Sequence, residues 1–332
     1  ADVQDLVEIS RSDWNSYEET AGFTRDRLVN AAATSAPVAL RDVVTSWRAR
    51  LKSERVRVQG LEERVFDHFV SLFDLSNELS FDGEVERDTL RELDAEELAA
   101  GLVSFAIGCM FGRYSLDESG VILADQASTL RDYLAKVPTP SFDPDEDNVI
   151  PMVDSDWFED DIVARFRAFL RVTFGEQHFE ENLAFVTEAL GVKSLREYFI
   201  TKAGKSKFYD DHVQRYKRRP IYWLFSSPKG SFNALVYMHR YTPSTVSTVL
   251  TYLREYVTKL ESSLQQAERD QNAKEADRLR KILVELNEYE HDTLYPKASE
   301  IVAIDLDDGV KVNYPKFGAA LRRIAGLESS DG

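Results

Sequence analysis

The spacing of apolar residues predicts helices over most of the chain. Segments with apolar positions three and four residues apart are 41–63, 65–73, 94–110, 156–173 and 180–190. Residues 12–15 supply the capping types Ser, Asp and Asn, and they predict a helix start just before Tyr17. The longest pattern comes last, in residues 246–264 and 279–289. Because polar residues 270–272 separate its halves, we expect two antiparallel helices there.

One segment departs from the helical pattern. Residues 221–225 and 234–238 are rich in aromatic and β-branched side chains, and Ser-Ser-Pro-Lys-Gly at residues 226–230 lies between them. Strand formers on both sides of a Pro-Gly turn predict a β-hairpin. We expect Pro296 to end the second long helix and residues 317–324 to form a final short helix. The predicted fold class is mainly α with a small β hairpin or sheet (α+β), and with a C-terminal helical hairpin.

Two changes in composition divide the chain. Pro138, Pro140 and Pro144 interrupt the helical pattern, and a basic, aromatic stretch ends at Arg240. We therefore expect three parts: a helical subdomain (1–137), a subdomain with an acidic loop, helices and a basic β element (138–240), and a long helical hairpin with a C-terminal tail (241–332).

Composition narrows the class of protein. The 332 residues carry 41 Lys and Arg against 58 Asp and Glu, a formal net charge of -17, and 43% are hydrophobic. Such a chain is long and apolar enough to bury a core. One cysteine allows no internal disulfide, and no apolar run approaches the roughly 20 residues of a membrane span. We expect a soluble, cytoplasmic protein with no membrane partner, and the absence of an initial Met suggests a piece of a longer chain.

The charge is unevenly distributed along the sequence. Residues 141–161 contain nine acids and no base, whereas residues 202–240 contain nine bases and two acids, a local balance of +7. An acidic surface repels nucleic acid, but a basic cluster can contact phosphates. From the residues alone the basic segment has two interpretations: it contacts DNA, or it neutralises the acidic segment of the same protein. The candidate DNA-binding residues are Lys205, Lys207, Arg215, Lys217, Arg218, Arg219, Lys229 and Arg240.

No catalytic or metal-binding motif is complete. Asp143, Asp145 and Asp147 imitate the start of a calcium-binding loop. Asn148 replaces the glycine of that loop, and Asp154 stands in place of its final Glu. The five histidines are scattered, and neither a nucleophile elbow nor a phosphate-binding glycine loop is present. We therefore predict no catalytic, cofactor-binding or metal-binding residue in this chain.

Several ordered blocks of the sequence resemble one protein family. They are residues 9–18, 107–117, 145–151, 157–162, 216–227, 232–241 and 304–314. The first contains Asp-Trp-x-x-Tyr-Glu, and the most specific pair runs from Tyr-Lys-Arg-Arg-Pro-Ile-Tyr-Trp to Tyr-Met-His-Arg-Tyr. These blocks resemble the PglX family, the adenine-specific DNA methyltransferases of BREX phage-defence systems, and they spread over almost the whole chain.

The resemblance implies a DNA substrate and the cofactor S-adenosylmethionine for the full-length enzyme. Members of the family methylate the N6 amine of an extruded adenine, using an Asn/Asp-Pro-Pro-Tyr/Phe motif and a glycine-containing cofactor loop. Neither motif occurs here, since no two prolines are adjacent and Phe-x-Gly-x-Gly is absent. No catalytic or cofactor residue is therefore carried over, and we expect the chain to correspond to the C-terminal region of such a protein.

Two hypotheses of function follow. The first is a non-catalytic C-terminal region that positions DNA or helps to recognise the target, with the basic residues contacting phosphates. Its partners would be DNA and the methyltransferase core. The second is an interaction scaffold, which would use the helical hairpin and the acidic faces to dock on that core or on other BREX proteins. The sequence leaves open whether the chain has enzymatic activity of its own.

Overall fold

The computed structural model describes residues 2–33, 37–76, 78–81 and 90–328. They are mainly α-helical with one small antiparallel sheet, which confirms the predicted fold class. The elements in chain order are α1 (Asp2–Trp14), α2 (Arg27–Ala32), α3 (Leu40–Leu72), α4 (Ala95–Met110), α5 (Leu130–Lys136), β1 (Val149–Pro151), α6 (Ile162–Phe174), α7 (Phe179–Ala189), α8 (Leu195–Phe199), α9 (Lys207–Arg215), β2 (Tyr222–Ser226), β3 (Asn233–Tyr237), α10 (Thr245–Arg269), α11 (Ala273–Tyr289), α12 (Tyr295–Glu300) and α13 (Val310–Asn313). Among the described residues, no helix combines the length and the apolar character needed to cross a membrane.

The chain forms two compact units. The first comprises residues 1–105 and 170–189, and the second comprises residues 106–169 and 190–332. The three-part division made from the proline-rich break and the change of charge stays a prediction. All eight candidate DNA-binding residues belong to the second unit.

The long helix α3 dominates the first unit. It runs unbroken for 33 residues and buries Val44, Trp47 and Leu51 on one face. The predicted division into helices 41–63 and 65–73 is wrong, because the junction at residues 62–65, Glu-Glu-Arg-Val, contains no Pro or Gly to end a helix.

The predicted helix start at residues 12–15 is also wrong. α1 ends there, at Trp14, and the Asp13 carboxylate does not cap a following helix. It accepts a hydrogen bond from the Leu90 backbone N–H (2.9 Å) and lies 3.8 Å from the Arg27 guanidinium. Asp13 is therefore used for tertiary contacts within the first unit.

The sheet lies in the second unit, with strand order β1-β3-β2 and antiparallel pairing throughout. β2 and β3 form the predicted hairpin. β1 comes from the acidic segment and pairs Ile150 with Leu235. The sequence does not predict it, because three residues are too few to show a strand pattern. Asn148 precedes β1, and its side-chain amide bonds the backbone C=O (3.0 Å) and N–H (3.3 Å) of Tyr237.

The C-terminal helical hairpin is confirmed. α10 packs against α11 and against β1, and it buries the apolar stripe that the sequence shows. The Asn272 side chain caps α11 by accepting a hydrogen bond from the Glu275 N–H at 3.2 Å. The stripe of α10 is therefore part of the core of the second unit.

Pro296 does not end the second long helix as predicted. A single π-helical turn, Glu290–Leu294, follows α11 and continues directly into α12, with Pro296 in its first turn. A proline is tolerated there because the first N–H groups of a helix need no intrahelical acceptor. The helix ends at Ile301, whose φ of 54° is left-handed.

Two predicted helix boundaries also shift. The helix expected at 156–173 begins only at Ile162, because the buried Asp161 carboxylate caps it by accepting bonds from the Val163 and Ala164 N–H groups (3.0 and 2.8 Å). The final helix expected at 317–324 is a 3₁₀ segment, Tyr314–Ala320. The chain then becomes extended, and Leu321 bridges to Phe225 on the free edge of β2.

Candidate nucleic-acid interface

The acidic segment has its own cationic partners. Arg165 lies 3.8 Å from Asp145, Arg196 lies 2.7 Å from Asp161, and Arg278 lies 3.3 Å from Asp154. None of these three arginines is among the candidate DNA-binding residues. The interpretation in which the basic segment neutralises the acidic one therefore gains little support from the described contacts, apart from those of Arg240.

Arg240 is the candidate residue that contacts the acidic segment. Its side chain is buried, and its guanidinium donates to the backbone carbonyls of Asp145 (2.8 Å), Glu146 (3.0 Å) and Phe111 (3.4 Å). Burial lowers the pKa of Arg240, while Asp145 and Asp147 oppose that change. Through the carbonyls of Asp145 and Glu146, the Arg240 guanidinium holds the loop before β1 in position.

The carboxylates of the acidic loop accept hydrogen bonds from the backbone of the same loop. Asp145 and Asp147 both accept from the backbone N–H of Val149 (3.1 and 3.0 Å), so their oxygens are turned towards the loop. Burial raises the pKa of Asp145 to about 7, and the neighbouring Asp147 adds to the effect. Within the described ranges, no group of three or more His, Cys, Asp or Glu residues is placed to hold a metal ion.

Three candidate residues share an exposed turn after α9, residues 216–219, which we call the basic turn. Lys217 and Arg218 both have left-handed backbones, with φ of 51° and 60°. The turn is fixed by hydrogen bonds from the N–H of Lys217 to Gln214 O (3.0 Å) and from the N–H of Arg218 to Val213 O (2.8 Å). Two successive non-glycine residues in this conformation cost about 1–2 kcal/mol each. Backbone strain of this kind often accompanies a functional site.

The side chains of the basic turn point to solvent. Lys217, Arg218 and Arg219 are all exposed. Among the described residues, no carboxylate lies within 4.0 Å of any of the three. The turn is therefore a compact group of three unneutralised cations.

The cations on either side of the basic turn are more engaged. Lys207 pairs with Asp211 one helical turn away (3.1 Å) and lies over the Tyr198 ring. Arg215 is half-buried at the end of α9, where its charge acts on His212.

Lys205 and Lys229 lie elsewhere in the second unit, beside a groove at the tip of the β-hairpin. The groove has a volume of about 940 Å³ and is lined by Gly204, Lys229 and the C-terminal Arg322 and Arg323, among others. Arg322 donates to the Gly204 carbonyl at 3.0 Å. The sequence does not connect the two C-terminal arginines with the groove, because Arg322 follows Lys229 by 93 residues.

An aromatic cluster surrounds a further arginine that the sequence did not single out. The Arg113 guanidinium lies 5.2 Å from the Tyr114 ring centre, and its Nε donates to the Tyr114 hydroxyl at 2.9 Å. The His212 ring is 4.9 Å from Tyr216 and 5.0 Å from Tyr222. The cluster thus extends from Arg113 to the first residue of the basic turn.

Two histidines in this cluster are held neutral. Burial lowers the pKa of His212 well below its usual value, and the charges of Arg215 and Arg113 lower it further. Burial also lowers the pKa of His239 to about 4, again with a contribution from Arg113. Both rings are therefore uncharged at neutral pH.

Comparison with known proteins identifies the relatives of this chain. No family model matches it. It is 32% identical over 97% of its length to the adenine-specific methyltransferase BrxX of Escherichia coli O9:H4 (strain HS), and 32% identical over 98% to the adenine-specific methyltransferase PglX of Lacticaseibacillus casei (strain Zhang). The resemblance to the PglX family is confirmed. The chain spans 29% and 28% of the lengths of these two relatives, so it matches less than a third of a PglX-type protein.

Proposed function

We propose that this chain is a non-catalytic, C-terminal region of a BREX-type N6-adenine DNA methyltransferase, and that it helps to position DNA in phage defence. Its partners in this role are DNA and the methyltransferase core, in the cytoplasm. The observation that carries the proposal is the basic turn, where Lys217, Arg218 and Arg219 project without carboxylate partners among the described residues. Lysine and arginine side chains in such a group bind phosphates and release condensed counterions.

The charge distribution supports an oriented contact. The whole chain carries a net charge of -17, so most of its surface repels a DNA backbone. A small positive region on an acidic protein restricts DNA to one approach. Lys205 and Lys229 are exposed beside the hairpin groove, and we propose them as separate phosphate contacts, whereas Arg240 is excluded by its burial.

S-adenosylmethionine would bind outside this chain, in the full-length enzyme. The hairpin groove is lined by three cations, Lys229, Arg322 and Arg323, and by one acid, Glu328, which pairs with Arg323 at 2.7 Å. A positively charged sulfonium does not suit this lining, whose net charge is positive. The groove therefore gives no support for a cofactor site here.

The experiment is a DNA-binding titration of the whole chain at several salt concentrations. We expect a variant with Lys217→Gln, Arg218→Gln and Arg219→Gln to bind a duplex more weakly. Its plot of log affinity against log salt should be shallower by about 2.7, the change for three lost phosphate contacts. Glutamine keeps the length of the side chains and removes their charge.

A matched control removes three charges from another surface. Lys274, Arg280 and Lys281 are exposed on α11, and their replacement by Gln changes the net charge by the same amount. We expect this control to keep the salt dependence of the original chain. Equal salt slopes for both triple variants would contradict the proposal.

The interaction scaffold remains a second candidate for one specific reason. At the end of α3, in the first unit, Phe69, Leu72 and Phe73 are 50%, 68% and 57% exposed. Exposed apolar side chains that lie close together often mark a docking surface. The stripe of α10 offers no such surface because it is buried. Failure to bind DNA, together with capture of the methyltransferase core that depends on Leu72 and Phe73, would favour the scaffold.

A further inference from the structure

Arg113 is a partly buried cation whose charge has no described counter-ion. Its side chain is only half-exposed, and in the part of the chain that the structure describes no carboxylate lies within 4.0 Å of it. A guanidinium removed from water is stable when its N–H groups meet acceptors and its charge meets an opposite charge. Arg113 therefore differs from Arg165 and Arg196 of the same unit, which both lie beside carboxylates.

The groups around Arg113 provide hydroxyls and rings. The Tyr114 hydroxyl accepts from Nε at 2.9 Å, and the Tyr237 hydroxyl also hydrogen-bonds the guanidinium. The Tyr237 hydroxyl donates its own proton to the Leu123 carbonyl at 2.6 Å, so its lone pairs face Arg113. The Tyr216 and Tyr222 side chains also act on the guanidinium, so the groups nearest its charge are neutral hydroxyls.

His212 adds an unused donor to the same cluster. It is 3% exposed, and its Nε2 accepts from the backbone N–H of Tyr222 at 3.2 Å. Because the ring is neutral, its proton resides on Nδ1. That Nδ1 is buried and has no hydrogen-bond partner among the described residues, and the same holds for Nδ1 of His239. The cluster thus contains a cation with no described counter-ion and a buried His212 N–H with no described acceptor.

An anion that accepts several hydrogen bonds is the ligand that such a cluster fits. A phosphate group supplies negative charge and oxygens for a guanidinium, and arginine recognises it with two parallel N–H bonds. Tyr216 belongs both to this cluster and to the basic turn. Consecutive phosphates of one strand can therefore meet the exposed cations and Arg113 in succession.

We propose that the half-buried Arg113 guanidinium anchors a phosphate group of a DNA strand, while neighbouring phosphates contact the basic turn. This inference rests on the proposed function, because it assigns the innermost phosphate contact of the same DNA-binding surface. Arg113 acts here as a binding residue.

The first test is a titration of the whole chain with inorganic phosphate at constant ionic strength. NMR follows the ring signals of His212 and His239. We expect both signals to shift with added phosphate and to saturate. The shift should be lost in Arg113→Met and kept in Arg131→Met, which removes an exposed arginine of α5. Absence of a saturable shift in the unmodified chain would overturn the anchor.

The second test uses a DNA duplex with the same proteins. We expect Arg113→Met to weaken binding about tenfold and to lower the salt slope by about one. Arg131→Met should change neither. Arg113→Lys keeps the charge but loses the paired N–H geometry, so its affinity should fall between those of the original chain and Arg113→Met. It also serves as the informative variant if Arg113→Met does not fold.

The two proposals can fail separately. If neutralising the basic turn weakens DNA binding while Arg113→Met, folded, leaves both affinity and salt slope unchanged, the proposed function stands and the anchor is overturned. If phosphate shifts the two histidine signals but DNA does not, the source of the anion is a free phosphate compound, and the DNA anchor is again overturned.

Discussion

Glu285 in α11 accepts a hydrogen bond from the hydroxyl of Ser227 at the start of the β-hairpin turn, at 2.6 Å. The same carboxylate accepts from the backbone N–H of Lys229 (2.8 Å) and from the hydroxyl of Ser231. It is 5% exposed. This one buried carboxylate therefore attaches the β-hairpin turn, which includes Lys229, to helix α11.

We expect Glu285→Ala to lower the free energy of unfolding by about 2–4 kcal/mol, because it leaves several buried donors without an acceptor. Urea denaturation measures the change. Glu288→Ala, an exposed site of the same helix, should change stability by less than about 0.5 kcal/mol. Similar values for the two variants would show that the turn does not depend on the carboxylate.

Gly204 and Gly230 bring two turns of the second unit into backbone contact. Both have φ of 72°, and a Cβ on Gly204 would lie 2.0 Å from the Lys229 carbonyl oxygen. We expect Gly204→Ala to destabilise the fold by more than about 3 kcal/mol, since backbone cannot move aside easily.

The control for this prediction is Gly191→Ala, where φ is 66° but no atom lies within 4 Å of the added Cβ. It should cost only the left-handed backbone penalty, about 1–2 kcal/mol. Thermal unfolding of both variants separates the steric contribution from the conformational one. Equal losses would mean that the two turns can separate at little cost.

Replacing Arg240 tests whether this residue of the basic segment stabilises the fold without contacting DNA. Its guanidinium donates to three backbone carbonyls, so we expect Arg240→Met to destabilise the chain by about 2–4 kcal/mol. DNA binding by the folded fraction should keep its original salt slope. A shallower slope would place Arg240 among the phosphate contacts after all, as the sequence alone suggests.

The lowered pKa of His239 predicts that the free energy of unfolding depends on pH. Its pKa falls from 6.5 to about 4 on folding, chiefly through burial. Between these values the unfolded chain takes up a proton that the folded chain does not, so stability is lost as pH falls from about 6.5 towards 4. At pH 5 this loss amounts to about 1–2 kcal/mol, given the partial exposure of the ring.

Replacing the histidine should remove that contribution. We expect His239→Gln to lose less stability than the original chain when denaturation is measured at pH 8 and then at pH 5. His291→Gln, at an exposed position, should follow the original chain. If His239→Gln and the original chain lose the same stability, the ring does not change its protonation on unfolding.

The parts of the fold that the sequence predicts are those with local signals. The helical hairpin follows from a stripe repeated over many turns, and the β-hairpin follows from strand formers on either side of Pro228 and Gly230. Errors arise where tertiary contacts decide. Asp13 is a residue type that caps helices, but it contacts Leu90 and Arg27 instead. Pro296 follows a π-helical turn, which no pattern in the sequence predicts.

The candidate site shows the same limit. Charge clustering in the sequence finds the basic turn, since Lys217, Arg218 and Arg219 are adjacent. It also selects Arg240, because sequence does not show whether a guanidinium meets carbonyls or solvent. Arg113 is missed, because about a hundred residues separate it from Tyr216. Only folding brings such distant aromatic and basic groups together.

The strand order β1-β3-β2 has a consequence for the order of folding. Residues of β2 and β3 pair across a short turn, whereas Ile150 and Leu235 pair across 85 residues of chain. Closing the longer loop costs more entropy, so the hairpin should form early and β1 should add late. Shortening a buried side chain in β1, as in Ile150→Val, should then speed unfolding while leaving the folding rate nearly unchanged.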